Sequence, residues 1–350
     1  MEVSFLRSRA SEKSGDAGVN HVERFRALMS FQPVDRLPRI EWATWWDKTI
    51  ERWQGEGLPV GAGDAASYFG LDPYRQYWFR PFDTSVAEPP KPVAGGVSCM
   101  DDYEEIRPYL YHTSEAAFER LAAWAIAQDR GDAVVWITLE GFFWWPRSLL
   151  GIERHLYAFY DQPELLHKIN SDLADHHLRI LHRLSSICRP AFMTFAEDMS
   201  YNHGPMLSEK LFQEFLAPYY RRVVPALKEM GVVIIVDSDG DVTEMVPWLT
   251  SVGVDGVLPL ERQAGVDASE LRRRYPSLRM IGHFDKMVMT KGEEAMRAEF
   301  ERLLPVMRSG GFIPSVDHQT PPGVSLEEYR CYLRLLEEYS KVGAGSACAG

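Results

Sequence analysis

The sequence predicts an α/β protein: a (β/α)8 TIM barrel, built as one domain behind a helical and aromatic N-terminal extension. Short apolar runs alternate with helix-length amphipathic stretches at the spacing that βαβ units require. About seven such runs can be placed and an eighth can lie between residues 71 and 112, and about eight units in one domain point to a closed barrel. No G-x-G-x-x-G follows the first run, where a doubly wound open sheet, the alternative, usually carries its phosphate loop.

The chain has 350 residues, 45% hydrophobic and 25% charged, enough to bury a large core. Its formal net charge of −12 argues against nucleic-acid binding, which needs Lys and Arg against phosphates. No apolar run approaches the roughly 20 residues that span a bilayer. Residues 1–20 are polar and lack the apolar centre of a signal peptide, so a cytoplasmic protein without membrane contact is expected. Cys99, Cys188, Cys331 and Cys348 have no paired spacing and read as reduced thiols.

In chain order, residues 1–20 read as disordered. HVERFRALMSF, from His21, is a short amphipathic helix that Pro33 stops, and residues 39–42 form a first strand ending at Glu41 and Trp42. Residues 43–112 crowd aromatics among glycines and prolines, and nine of the ten tryptophans precede residue 146. Most of these rings should plug an irregular end of the fold, while a few, Trp42 and Trp45 among them, would wall a pocket for a flat ligand. Residues 114–127 read as a helix, 133–139 as a strand ending at Glu140, and 163–184 as a Pro-initiated helix. Residues 191–196 form a strand ending at Glu197 and Asp198, and Ser208 caps a long helix to Met230.

The stretch VVIIVDSDGD (232–241) is the centre of the pattern. Unbroken Val and Ile mark a strand buried on both faces, and alternation puts Asp237 and Asp239 on one face with Ser238 on the other. Gly240 lets the backbone turn into the next helix. Beyond it come a helix (243–252), a strand (254–260) ending at Glu261, a helix (267–275), and a strand (278–282) followed by His283 and Asp285. A helix (293–309) and a strand (312–316) ending at Asp317 and His318 follow, then a helix opened by Ser325 with Glu328 in capping-box position. The barrel is thus expected over 21–341, with a flexible tail at 342–350.

Nearly every strand exit carries a carboxylate: Glu41, Glu140, Glu197 with Asp198, Asp237 with Asp239, Glu261, Asp285 and Asp317. In a parallel barrel these exits share one rim, where active sites of the fold lie. Some would cap the following helices. All of them ionised in one cup would repel, so a divalent metal, a cationic group or shared protons must offset the charge. Oxygen ligands with one imidazole would suit zinc, manganese or magnesium. His203, in the loop Tyr201-Asn202-His203-Gly204-Pro205, is either a loop residue or an acid/base, and His283 follows a strand beside Lys286.

Several runs resemble the uroporphyrinogen decarboxylase superfamily: FAEDMSYNHGPMLSEKLFQEFLAPYYRRVV, VDSDGDVTEMVPWL, VDGVLPLERQAGVD, GHFDK and GGFIPSVDHQTPPGVSLEEY. QPVDRLPR and GFFWWPRSLLGIERHLYAFYDQPELL are similar too, and the likeness covers residues 21–340, densest from 134. It implies a (β/α)8 barrel, often a homodimer, with its site at the carboxyl rim. The haem-pathway decarboxylases of this superfamily carry Arg-Gln-Ala-Gly-Arg after the first strand to hold substrate carboxylates. Here that place reads IEWATWWDKTI, a wall with few bidentate donors, and their Phe-Ser-Asp segment is not recognisable.

The other branch resembles corrinoid-dependent methyltransferases. Thiol-acting members bind zinc through His-x-Cys and a Cys, at positions that correspond here to Asp237, Asp239 and either His318 or Asp317. Oxygen ligands in place of thiolates fit an oxygen substrate better. The resemblance therefore implies a methyltransferase moving a methyl group from a small donor, an aryl methyl ether for instance, to a corrinoid supplied by a corrinoid-binding partner protein. Asp237, Asp239 and His318 are assigned to a metal (zinc first) or proton-donor site, and Glu197, Asp198 and His203 to acid/base work. Tyr201, Trp42, Trp45, Glu140, Glu261 and His283 are assigned to substrate binding. A decarboxylase acting on a tetrapyrrole or smaller acid, and a non-catalytic barrel binding a corrinoid or ligand, are the alternatives.

Overall fold

A computed structural model describes residues 18–83 and 88–344. Seven parallel strands form one curled sheet: β1 (Tyr74–Phe79), β2 (Val134–Glu140), β3 (Phe192–Ala196), β6 (Val233–Asp237), β7 (Gly256–Leu258), β8 (Arg279–Phe284) and β9 (Phe312–Val316), in that order. The remaining two, β4 (Ser200–Tyr201) and β5 (Gly204–Pro205), make a small antiparallel hairpin. β1 is the eighth strand expected between residues 71 and 112. Among the described residues no helix is long and apolar enough to cross a membrane.

Residues 39–42, expected as a regular strand, join no ladder and bend at Trp42. They still fill the gap between β9 and β1. On one side Trp42 Nε1 donates to Val316 O at 2.8 Å and Glu41 accepts from Ser315 Oγ at 2.7 Å. On the other, Asp72 N donates to Arg39 O at 2.8 Å and Tyr74 OH to Glu41 O at 2.9 Å. Pro38 before the segment, Pro314 within β9 and Pro73 before β1 each lack an amide donor, so a continuous ladder cannot form there.

Strand register shows which side chains face the barrel interior. Phe195 packs on His177 and Tyr220 of the surrounding helices, so its neighbours Thr194 and Ala196 point inward. Glu140 and Asp237 pair with Ala196 on either side and share its inward face. Lower in the barrel, Tyr74, Trp136 and Phe192 stack against one another, and Phe25 from the helix His21–Met29 closes that end. The interior is thus aromatic at its base, polar in the middle (Gln76, Thr138 and Thr194 are hydrogen-bonded) and acidic at the carboxyl mouth.

Other differences from expectation are local. Ser208 caps only a short turn, followed by a π-helical turn (Phe212–Leu216) and then Ala217–Glu229. β8 runs two residues further than expected, which places His283 within the strand. The Ser325–Glu328 capping box forms, and its helix continues to Gly343, so residues 342 and 343 are helix rather than tail. Residues 1–17 and 345–350, expected to be disordered and flexible, lie outside the described residues, as does Cys348.

Candidate functional site

β6 delivers Asp237 and Asp239 to the barrel mouth. Ser238 between them turns away and is buried, where its hydroxyl accepts from Met199 N at 3.1 Å and meets Ser200 Oγ at 3.0 Å. Gly240 follows at φ +83°, and a Cβ there would lie 2.6 Å from the Tyr201 backbone. Only glycine meets both conditions easily. The turn aims Gly240 N at Glu261 Oε2, 2.9 Å away.

Asp239, Glu261 and His318 each offer one ligand atom, and these atoms lie within 4.8 Å of one another. Asp239 Oδ2 and His318 Nε2 are 3.5 Å apart. The Asp239 carboxylate raises the His318 pKa above its ordinary value, against the opposing effect of burial. Trp42 meets the His318 ring edge-on at 6.1 Å. Of Asp317 and His318, the histidine faces the cluster. Asp317 is fully buried and accepts from the amides of Arg262 (3.0 Å) and Lys286 (3.2 Å). The Lys286 ammonium bridges the two acids, 3.5 Å from Glu261 and 3.4 Å from Asp317.

Two carboxyls back this group. Asp198, at φ +39°, accepts from Asp239 N at 3.3 Å, and burial followed by the nearby Asp239 charge pushes it up to about 6. The Asp237 carbonyl accepts from Glu197 N at 2.9 Å, while its carboxyl accepts no hydrogen bond among the described residues. Burial, with Asp198 and Asp239 beside it, raises its pKa well above its ordinary value at the top of β6. It belongs to the same mouth, but the three-residue group holds Glu261 in its place. Two carboxylates and one imidazole at this spacing fit a divalent ion after small side-chain movements.

The other expected site residues separate. Glu197 is buried and engaged: it accepts from the amides of Phe142 (2.9 Å), Phe143 (2.8 Å) and Trp144 (3.3 Å) and from Tyr220 OH. It serves the start of the helix Trp144–Leu150 rather than a substrate. His283 is buried with both nitrogens occupied, Nδ1 by Leu260 O at 2.8 Å and Nε2 by Ala268 N at 3.2 Å and Arg302 at 3.1 Å. Burial lowers it to about 4, so it is a neutral packing residue instead of a substrate contact. Trp45 is buried against Trp53, Phe69 and Tyr329. The groove it lines, about 430 Å³, reaches the amino end of β1 and not the mouth.

Tyr201 and His203 are exposed on the hairpin loop, their rings edge-on at 5.7 Å. Glu140 faces the interior two strands from Asp237. Burial pushes it up to about 7, Arg80 and the Trp78 indole oppose that shift, and its Oε2 has no hydrogen-bond partner. The residue that sequence reasoning passed over is Lys286. Its signal was position: it stands two residues beyond β8, on the rim already rich in acids.

An α/β barrel with an acidic mouth bridged by one lysine is the class these features define. A uroporphyrinogen decarboxylase (URO-D) family model matches residues 138–339, and the chain belongs to that family. The uroporphyrinogen decarboxylase of Bordetella petrii is 27% identical over 194 residues, covering 51% of this chain and 51% of its own. That of an Anaeromyxobacter species is 27% identical over 132 residues, 37% of this chain and 36% of its own. The chain spans about half the length of the curated relatives it matches. Among solved structures, a methyltransferase from Methanosarcina mazei superposes with a TM-score of 0.62 at 14% identity, over 91% of this chain and 99% of that one, a likeness of fold.

Proposed function

We propose that this barrel is a methyltransferase that moves a methyl group from a small donor, an aryl methyl ether first, to a corrinoid carried by a partner protein, and that it works as a homodimer. The observation that carries this reading is the Asp239–Glu261–His318 group at the mouth. These three residues would hold a divalent ion, zinc first, which when bound supplies a Lewis acid for an ether oxygen. The protein's own part is binding and orientation. Trp42, beside His318, offers an aromatic face to a planar donor. Asp237 and Asp198 sit beside the group, and burial with the repulsion of neighbouring carboxylates raises both pKa values. The fold shared with the Methanosarcina mazei methyltransferase is consistent with this chemistry.

The curated relatives are named as uroporphyrinogen decarboxylases, and decarboxylation is the second reading. Residues 40–50 weigh against it: they bring one lysine, no arginine and three tryptophans to the place where a substrate with many carboxylates needs cations.

The test has two arms. Metal content of purified wild type and Asp239→Ala is measured by elemental analysis, and methylation of cob(I)alamin is followed by absorbance with methoxylated aromatics as donors. Bound metal lost in Asp239→Ala, together with donor-dependent methylation, is expected. Equal metal content in both proteins would remove the site. Uroporphyrinogen turnover would establish the decarboxylase. No turnover with either substrate, and indifference to Asp239→Ala, would leave a binding protein.

A further inference from the structure

Both oxygens of Glu261 are already engaged. Its Oε2 takes the Gly240 amide at 2.9 Å, while Oε1 faces the Lys286 ammonium at 3.5 Å. A divalent ion held by Asp239, Glu261 and His318 would therefore sit at a carboxylate whose charge Lys286 already neutralises. Two cations cannot share that carboxylate cheaply, because their repulsion grows in a site partly withdrawn from water. Lys286 is itself mostly covered, its side chain 17% exposed, so it cannot simply swing into solvent without losing its packing.

A second seat is built in. Asp317 lies 3.4 Å from the same ammonium, is fully buried, and is fixed by the backbone amides of Arg262 and Lys286. It does not belong to the ion-binding group. Its amides keep it in place whether or not Lys286 also touches Glu261.

We propose that Lys286 is a built-in competitor for the ion site: it neutralises Glu261 in the ion-free protein and withdraws onto Asp317 when a divalent ion binds. The inference rests on the metal-site reading above and adds its regulation. The ammonium sets the affinity of the site below what its three donors alone would give. It also keeps the mouth from being an open cluster of negative charge in the ion-free protein. Asp317 decides how readily the site can be vacated.

Zn²⁺ alone, titrated against a chromophoric chelator at fixed pH, tests this without any assay of activity. Lys286→Met removes the competitor and should bind Zn²⁺ about tenfold or more tightly than wild type. Lys286→Arg keeps the charge and should stay near wild type. Asp317→Asn removes the seat of retreat and should bind about tenfold more weakly. Since either single change could unfold a protein that buries the partner, the double variant K286M/D317N removes both charges together and should again bind more tightly than wild type. Thermal melts establish that each variant is folded. Zinc binding by wild type with no gain in Lys286→Met or the double variant overturns the competitor and leaves the metal reading intact. Binding by those two variants but not by wild type supports the competitor and removes the metal from the native site. No binding by any of them overturns both.

Discussion

The barrel mouth has two walls, and both are lined with carboxyls from strand exits. On the β2–β3 wall, Glu197 spends its oxygens on three backbone amides and a tyrosine, and Glu140 is buried behind Trp78 and Arg80. On the β6–β9 wall, Asp239, Glu261 and His318 are partly exposed and share one small space with Lys286. The same residue type at the same place in the fold does opposite work. What separates Glu197 from the Asp239 group is that backbone amides have claimed both of its oxygens.

The sharpest way to break this contrast is to truncate one carboxylate on each wall. Glu197→Ala leaves three amides, two of them buried, and the Tyr220 hydroxyl without an acceptor, and should cost about 3–5 kcal/mol of stability in urea unfolding. Asp239→Ala should change stability by less than about 1 kcal/mol while abolishing metal retention. Comparable losses in the two variants would end the distinction.

Behind the committed wall, His177 donates to Glu140 O at 2.9 Å, and burial lowers it to about 4. In the unfolded chain it titrates near 6.5, so the folded state binds fewer protons between these values. Its contribution is complete above about pH 6.5 and is lost as pH falls toward 4, about 3 kcal/mol in all. The burial-raised carboxyls Glu140 and Glu197, both at about 7, act in the opposite sense, favouring the folded state as pH falls from 7 toward their unfolded values. The difference in unfolding free energy between wild type and His177→Gln, followed from pH 7 to 4, isolates the histidine and should shrink as pH falls.

Smaller effects sharpen the working wall. Gly240→Ala forces a side chain into left-handed backbone and against Tyr201, and should cost about 1–3 kcal/mol with weaker metal binding in the same titration. Tyr201→Ala removes a half-exposed ring and should shift the urea midpoint by less than about 0.5 kcal/mol equivalent.

Much of the barrel could be read because burial on both faces leaves plain apolar runs: β9 has the expected limits, and β2, β3 and β6 shift by a residue. The closing segment at 39–42 could not, since its pairing depends on prolines in three separate places. For the site, period-two alternation put Asp237 and Asp239 together and Ser238 opposite, and the strand exit placed His318 near them. Glu197 was misread because the amides that occupy it lie more than fifty residues earlier in the chain. His283 was misread because two further residues of strand drew it in among Leu260, Ala268 and Arg302. Trp45 looked like its neighbour Trp42, yet only Trp42 reaches the mouth.

The hairpin over the mouth is fastened to the strand it covers. Ser200 bonds the Ser238 hydroxyl and the Asp239 carbonyl, and Tyr201 O takes the Asp241 amide at 2.9 Å. A flap so attached has no free hinge: raising it pulls on the chain that carries Asp239. On the proposed reading, a molecule entering from that side would disturb Asp239, whereas at the opposite lip Trp78 and Arg80 have no such tie to the trio among the described residues.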